Sequence, residues 1–311
     1  MKVNKMDYVT VIGAANVDIL GFSTDKLIYS DSNPGQIKIC SGGVGRNIAE
    51  NLSRLNINTK MITILGDDMY GKRLFEECKQ IGIDMDHCLI REGEITSTFT
   101  AVIENNGEMA LALSDMSIID RLPVDHLKEK SHIIERSKII ILDSVLPQNV
   151  IEYVLENFKN NLIFLDPVSV GKAKRVKELI SGFNTIKLNK IESEYISDIK
   201  INGTHDLEKA SRYFIDRGVE RVFITLGKEG VYYRIGDYTN HYKPKVVEAT
   251  NVIGAGDAFM AGVVYCTMNG KDIDYTAKFS SALSQLTLKS LDTVSQTISE
   301  DNVIKVMQEE E

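Results

Sequence analysis

Cysteine is scarce in this 311-residue sequence, no long uninterrupted apolar run occurs, and positive charge is not in excess. The four cysteines, Cys40, Cys78, Cys88 and Cys266, stand far apart with no C-x-x-C pair. That spacing excludes the disulfide framework of a small secreted domain and argues for reduced thiols in a cytoplasmic protein. The opening segment MKVNKMDYVTVIGAANVDILG has one short apolar run, broken by Asn16 and Asp18, so neither a signal peptide nor a membrane span is expected. A net charge of −8 argues against a general nucleic-acid binder. Tandem repeats and low-complexity linkers are also missing.

What is present suits a large core: 43% of the residues are hydrophobic. Short apolar runs at 8–12, 60–65, 138–142, 162–165, 185–188 and 221–225 predict buried strands. Helical patterns lie between many of them, at 45–55, 70–81, 148–158, 173–180 and 206–217. Alternation of this kind predicts a three-layer α/β/α fold with a mostly parallel central sheet. Several strands end in polar or glycine positions, namely Gly13, Gly66, Asp143, Asp166, Asn189 and Gly227. Open α/β sheets bind ligands at those carboxyl ends. Two segments, 22–40 and 96–116, break the rhythm, and the second carries a hairpin signal at Asn106-Gly107. They are expected to form a small β lid, leaving 1–21, 41–95 and 117–311 as the main domain. Ordinary surface hairpins are the plainer alternative.

Three stretches are candidates for chemistry. In NVIGAGDAFMAG, residues 251–262, Gly254 and Gly256 leave backbone N–H groups bare at a helix start, which is an anion site. The third glycine of a dinucleotide fingerprint is replaced by Phe259. Asp257 would repel an anion there, but it makes sense as a base taking a proton from an attacking hydroxyl. A plain helix N-cap is the competing reading. In SGGVGRNIAENLSRLN, residues 41–56, Gly42, Gly43 and Gly45 precede an amphipathic helix with Asn47 in its first turn. They suit either close approach to a hydroxylated ligand or a tight helix entry. Asn16 and Asp18 follow the first strand and could clamp vicinal hydroxyls or serve as turn residues. GDDMYGKR, residues 66–73, imitates a P-loop, but Arg73 stands where Ser or Thr would hold magnesium, and Asp67 and Asp68 would repel phosphate.

Taken in order, NVD (16–18), GGVGRN (42–47), GDDMYG (66–71), DPV (166–168), NKIE (189–192), ITLGKEG (224–230) and GAGDAFMAG (254–262) resemble the ribokinase-like (PfkB) carbohydrate and nucleoside kinases. The resemblance implies ATP and a divalent cation, magnesium, as cofactors. It implies Asp257 as catalytic base, with the N–H groups of Gly254, Ala255 and Gly256 as anion hole. Asn189 and Glu192 would organise magnesium largely through water. Asn189, Thr225, Gly227 and Gly230 would contact the nucleotide, with Ser281 placed there by position alone. Asn16, Asp18, Gly42, Gly43 and Asn47 would hold substrate hydroxyls. The lid would double as a homodimer surface. Many members carry an acid and a threonine just before the glycines that help hold potassium; Asn251 and Ile253 stand there instead, which predicts weak or absent potassium activation.

DSNPG (31–35) joined to GGVGRNIAENL, with GEMALALSDMSI and DPVSVGKAKRVKELI, resembles the bacterial pseudouridine kinases within that family. This implies transfer of the ATP γ-phosphate to the 5′-hydroxyl of a nucleoside. Asn33 and Asp115 are then candidates to face the base under the lid; turn formation and hairpin capping are their plainer uses. Another nucleoside, ribose or a ketose stays open as acceptor. So does a non-catalytic regulator, although such a protein needs no base at position 257.

Overall fold

The structure is a computed structural model and describes residues 7–310; residues 1–6 of the first predicted main segment, and residue 311, lie outside the described residues. Among these the strands are β1 (Val9–Ile12), β2 (Asn16–Ser23), β3 (Gly35–Gly42), β4 (Thr59–Ile62), β5 (Ile64–Gly66), β6 (Leu89–Arg91), β7 (Thr98–Ile103) and β8 (Met109–Asp115). They continue as β9 (Ile139–Asp143), β10 (Leu162–Asp166), β11 (Thr185–Asn189), β12 (Arg221–Thr225), β13 (Val231–Ile235) and β14 (Tyr238–Tyr242). The main sheet is eight-stranded, in the order β14-β13-β12-β11-β10-β9-β1-β4. It is parallel from β12 to β4, and β13 and β14 add an antiparallel edge.

Side-chain alternation explains why the predicted strands read as continuous apolar runs. Ile139 and Ile141 of β9, Phe164 of β10 and Phe223 of β12 join one apolar cluster, shared with the helices Val44–Arg54, Ala255–Met268 and Ile273–Leu288. Ile140 and Leu142, Ile163 and Leu165, and Val222 and Ile224 join a second cluster, with the helices Gln148–Asn157 and Thr204–Ile215. A sheet covered on both faces buries every residue of its inner strands, so period-2 alternation vanishes from the sequence.

Two elements depart from expectation. The run at 60–65 is two strands: β4 joins the main sheet, while β5 turns away to pair with β6. The helix expected over 173–180 is a short turn, Val170–Ala173, followed by a 3₁₀ segment, Lys177–Gly182. Arg175 lies between them. Its guanidinium donates to the carbonyls of Val145 and Leu146 and pairs with Asp120 at 2.8 Å, and these tertiary contacts override the local helical pattern.

The smaller sheet runs β3-β2-β7-β8. β2 begins at Asn16 and β3 ends at Gly42, so the sheet's strands reach beyond 22–40 at both ends. The chain turns at Gly107, with φ at 85°, between β7 and β8. Lys38 of β3 ties this sheet to the main body by bonding Asp292 at 2.8 Å and the Leu291 carbonyl at 3.0 Å.

Candidate active site

Because strand side chains alternate, one face of the main sheet carries Asp143 after Ile141, Asp166 after Phe164, and Lys187 between Ile186 and Leu188. These three polar groups therefore project to the side covered by the helix Ala255–Met268. Asp257 sits in the first turn of that helix and is 8% exposed. Gly254, directly before the helix, has φ at 85°, and a side chain on it would strike the Thr293 carbonyl. The turn thus needs glycine for backbone and space alike.

Asn47 Nδ2 donates to Asp257 Oδ2 at 2.8 Å. Lys187 Nζ lies 2.8 Å from Asp166 Oδ2, and a Cβ added to Gly256 would lie 2.8 Å from the same ammonium. The lysine thus stands directly beneath the glycine turn. Burial pushes the Asp257 carboxyl up to about 7; the Asp166 charge adds to the rise, while Lys187 and the Asn47 bond oppose it. Burial works against the Lys187 charge, but Asp166, Glu192 and Asp257 outweigh it and hold this lysine above its ordinary value. Asp143, pushed up to about 6 by burial, accepts from the N–H groups of Ala14 at 2.7 Å and Gly45 at 3.1 Å. It fastens the end of β1 to the start of the helix Val44–Arg54.

Asn16 and Asp18 are buried on β2, and Asn16 Nδ2 donates to Asp18 Oδ1 at 2.6 Å. Burial pushes Asp18 up to about 6, against the Asn16 bond and the Arg46 charge. Gly42 pairs with Asn16 across β2 and β3, and a side chain there would strike the Asp18 carboxylate. Gly43 has φ at 99°, and a side chain on it would strike the Ala14 carbonyl. These glycines thus let the chain approach the Asp18 carboxylate at Gly42 and its own backbone at Gly43 and Gly45.

Thr225, Gly227, Gly230, Ala255, Gly256 and Ser281 line one cavity of about 270 Å³, together with apolar Val231, Pro244, Phe259 and Leu288. An apolar slot ending at bare amides suits a nucleotide: a flat base inside, phosphates at the helix N-terminus. Asn189 caps the helix Lys190–Ser197: its Oδ1 accepts from the Glu192 N–H at 2.9 Å, and Glu192 Oε2 accepts from the Asn189 N–H at 2.8 Å. Glu192 is 2% exposed, and burial raises its pKa while Lys187 lowers it. A larger cavity of about 390 Å³ is lined by Lys38, Arg46, Arg54, Arg73, Glu50, Glu77 and Asp292. Its charges are largely paired with one another, Lys38 with Asp292, Arg54 with Glu50 and Arg73 with Glu77, so it offers little to a charged ligand.

Asn33 and Asp115 have local uses. Asn33 Oδ1 accepts from the Ile28 N–H at 2.7 Å, and its amide donates to the carbonyls of Ile28 and Asp31. Asp115 Oδ1 accepts from the Ser117 N–H at 3.0 Å just after β8. Both are exposed. Lys187 and Arg46 were not singled out from the sequence, and Asp143 was marked only as the polar end of a strand. For Lys187 the signal was a lone cation inside an apolar strand run.

A mostly parallel sheet, a smaller separate sheet, an amide turn beside a buried carboxyl and an apolar slot at that turn make up a ribokinase-like architecture. The chain belongs to the pfkB family of carbohydrate kinases, whose pattern matches residues 6–300. It is thus a phosphotransferase of the carbohydrate and nucleoside class with an alcohol as acceptor. It is 36% identical to the pseudouridine kinase of Escherichia coli (strain K12) over 306 residues, 98% of each chain. A Clostridium perfringens protein proposed to be a sugar kinase superposes with a TM-score of 0.88 at 40% identity, covering 98% of this chain and 97% of that one. The Arabidopsis thaliana ribokinase, solved with ribose and ATP, gives 0.84 at 19% identity over 97% and 99%, a likeness of fold.

Proposed function

We propose that this chain transfers the γ-phosphate of ATP to the 5′-hydroxyl of pseudouridine in the cytoplasm. The carrying observation is the 36% identity to a pseudouridine kinase along 98% of both chains, joined to a buried Asp257 in the first turn after a glycine amide turn. The acceptor hydroxyl lies against Asp257, which takes its proton as the new P–O bond forms. The N–H groups of Gly254, Ala255 and Gly256 receive the transferring phosphoryl oxygens. Asn16, Asp18 and Asn47 hold the ribose, and the small sheet covers the base and excludes water, a competing acceptor. A carbon-linked uracil differs from uridine chiefly by one more N–H, and a polar contact to it discriminates strongly.

Among the described residues no group of three or more His, Cys, Asp or Glu could hold a metal. One or two protein oxygens with phosphates and water is the way magnesium is commonly held beside ATP. Glu192 and Asn189 offer hard oxygens at the end of β11 and fit that arrangement; magnesium there would neutralise phosphate charge. The exposed face of the lid is assigned to a second copy of the chain, forming a homodimer.

The test is ATP consumption over pseudouridine, uridine, adenosine, ribose and fructose. Pseudouridine should give the highest kcat/KM. A clear preference for another acceptor retains the kinase and overturns the substrate; no consumption with any of them overturns both.

A further inference from the structure

We propose that Arg46 is a positioning residue for phosphoryl transfer: it grips the Asn47 side-chain oxygen, Oδ1, and so turns the Asn47 side-chain Nδ2 toward Asp257. The inference rests on the reading of Asp257 as base. Arg46 is 5% exposed and lies within the first turn of the helix Val44–Arg54. Its Nη1 donates to Asn47 Oδ1 at 3.0 Å and to the Ser41 carbonyl at 3.2 Å, while Nη2 pairs with Glu50. Glu50 is itself buried and is held from its other side by Arg54 at 2.7 Å. The guanidinium therefore has three fixed acceptors and little freedom to swing.

A guanidinium has only donors. The atom of Asn47 that it meets must be the oxygen, and the nitrogen is left to face the Asp257 carboxylate at 2.8 Å. The two ends of an amide are nearly equal in shape, so packing alone fixes this orientation weakly. With the amide reversed, its oxygen would face the carboxylate oxygen and favour the protonated acid, which cannot accept a proton. The contact to Ser41 adds a second effect: it pins the chain just before Gly42 and Gly43, where the lid strand β3 becomes the helix that carries Asn47. Asp257 is also faced by Asp143, Asp166 and Lys187 from the ends of β9, β10 and β11, and none of these is altered in the test.

The experiment compares the wild type with Arg46→Met, Arg46→Lys and Asp257→Asn. Two quantities are read: the pH profile of kcat with Mg-ATP and pseudouridine, and the carbon-13 NMR titration of the Asp257 carboxyl in the free protein, assigned by its loss in Asp257→Asn. The titration needs no acceptor, so it does not depend on the substrate assignment. Arg46→Met should lower kcat about tenfold or more and move both the acid limb and the carboxyl titration to higher pH. Arg46→Lys should restore them only in part, because one ammonium cannot span Ser41, Asn47 and Glu50. Should Arg46→Met fail to fold, Arg46→Met/Glu50→Gln neutralises the buried acid, left with Arg54 as its one cationic partner, and answers the same question. A lowered Tm with both pH readouts unmoved overturns the inference, as does full restoration by lysine, which would leave charge alone as the cause. If Asp257→Asn keeps turnover within a few-fold, the base assignment itself falls.

Discussion

A carboxyl that is out of water and beside other acids holds its proton more tightly than a free one. Asp257 is in that position, with Asp166 and Asp143 raising its proton affinity and Lys187 lowering it. A base must be ionised to act, so kcat should fall as pH drops through about 7, the value to which burial pushes this group. The neighbours set the direction of each perturbation. Lys187→Met removes the opposing charge and should move the acid limb to higher pH. Asp166→Asn removes a like charge and should move it lower. Steady-state kcat against pH for the two variants reads both signs, and limbs that move the same way would refute the assignment. Asp257→Asn should abolish most turnover while equilibrium dialysis finds acceptor affinity nearly unchanged. Asn47→Ala removes the amide bond to Asp257 and a proposed ribose contact together. It should weaken acceptor binding by about 1–3 kcal/mol and raise the acid limb.

The turn before the helix Ala255–Met268 carries Asn251 and Ile253 where the family resemblance leads one to expect an acid and a threonine. Asn251 Oδ1 accepts from the Ile253 N–H at 3.0 Å, but Asn251 carries no negative charge to hold a cation, and Ile253 contributes no side-chain oxygen. A monovalent cation gains little from this pair. Replacing sodium by potassium at constant ionic strength should leave kcat unchanged within about twofold; a several-fold increase would show that backbone carbonyls alone suffice. Elements of this kind were legible in the sequence to different degrees. The strands of the parallel sheet were, because short, mostly apolar runs such as IIIL and LIFL, buried on both faces, leave little else to be. The edge hairpin of β13 and β14 was not singled out, since VYYRI buries its arginine and exposes its isoleucine, and YTNHY buries no residue fully. The glycine turns announced themselves as turns, but GGVG could not tell whether its bare backbone faces a ligand or the chain itself. Lys187 was visible as a letter, while its place under Gly256 depends on strands joined only in space.

At the scale of the whole molecule the unusual surface is the lid. Register aligns Ile37, Gly21, Val102 and Leu111 in one row across β3, β2, β7 and β8, and Ile39, Ile19, Thr100 and Leu113 in the next. Ile37 is 69% exposed, Leu111 59% and Leu113 67%. A contiguous apolar sheet face is costly in water and marks an interaction site, whereas Asp18 and Cys40 point from the opposite face. Pairing two lids face to face would remove this surface from solvent in both copies and stiffen the cover over each site. That arrangement predicts a dimer by sedimentation equilibrium, with Leu111→Asp/Leu113→Asp shifting it toward monomer because charges would be buried across the contact. The two positions lie away from Asp257 in the sequence and face outward, so the variant should keep its fold by circular dichroism. Its acceptor KM should rise, because a lid without a partner closes less firmly, while the acid limb set by Asp257 should stay in place. A wild-type chain that sediments as a monomer, or a charged variant that remains dimeric, would remove the lid face from the assembly.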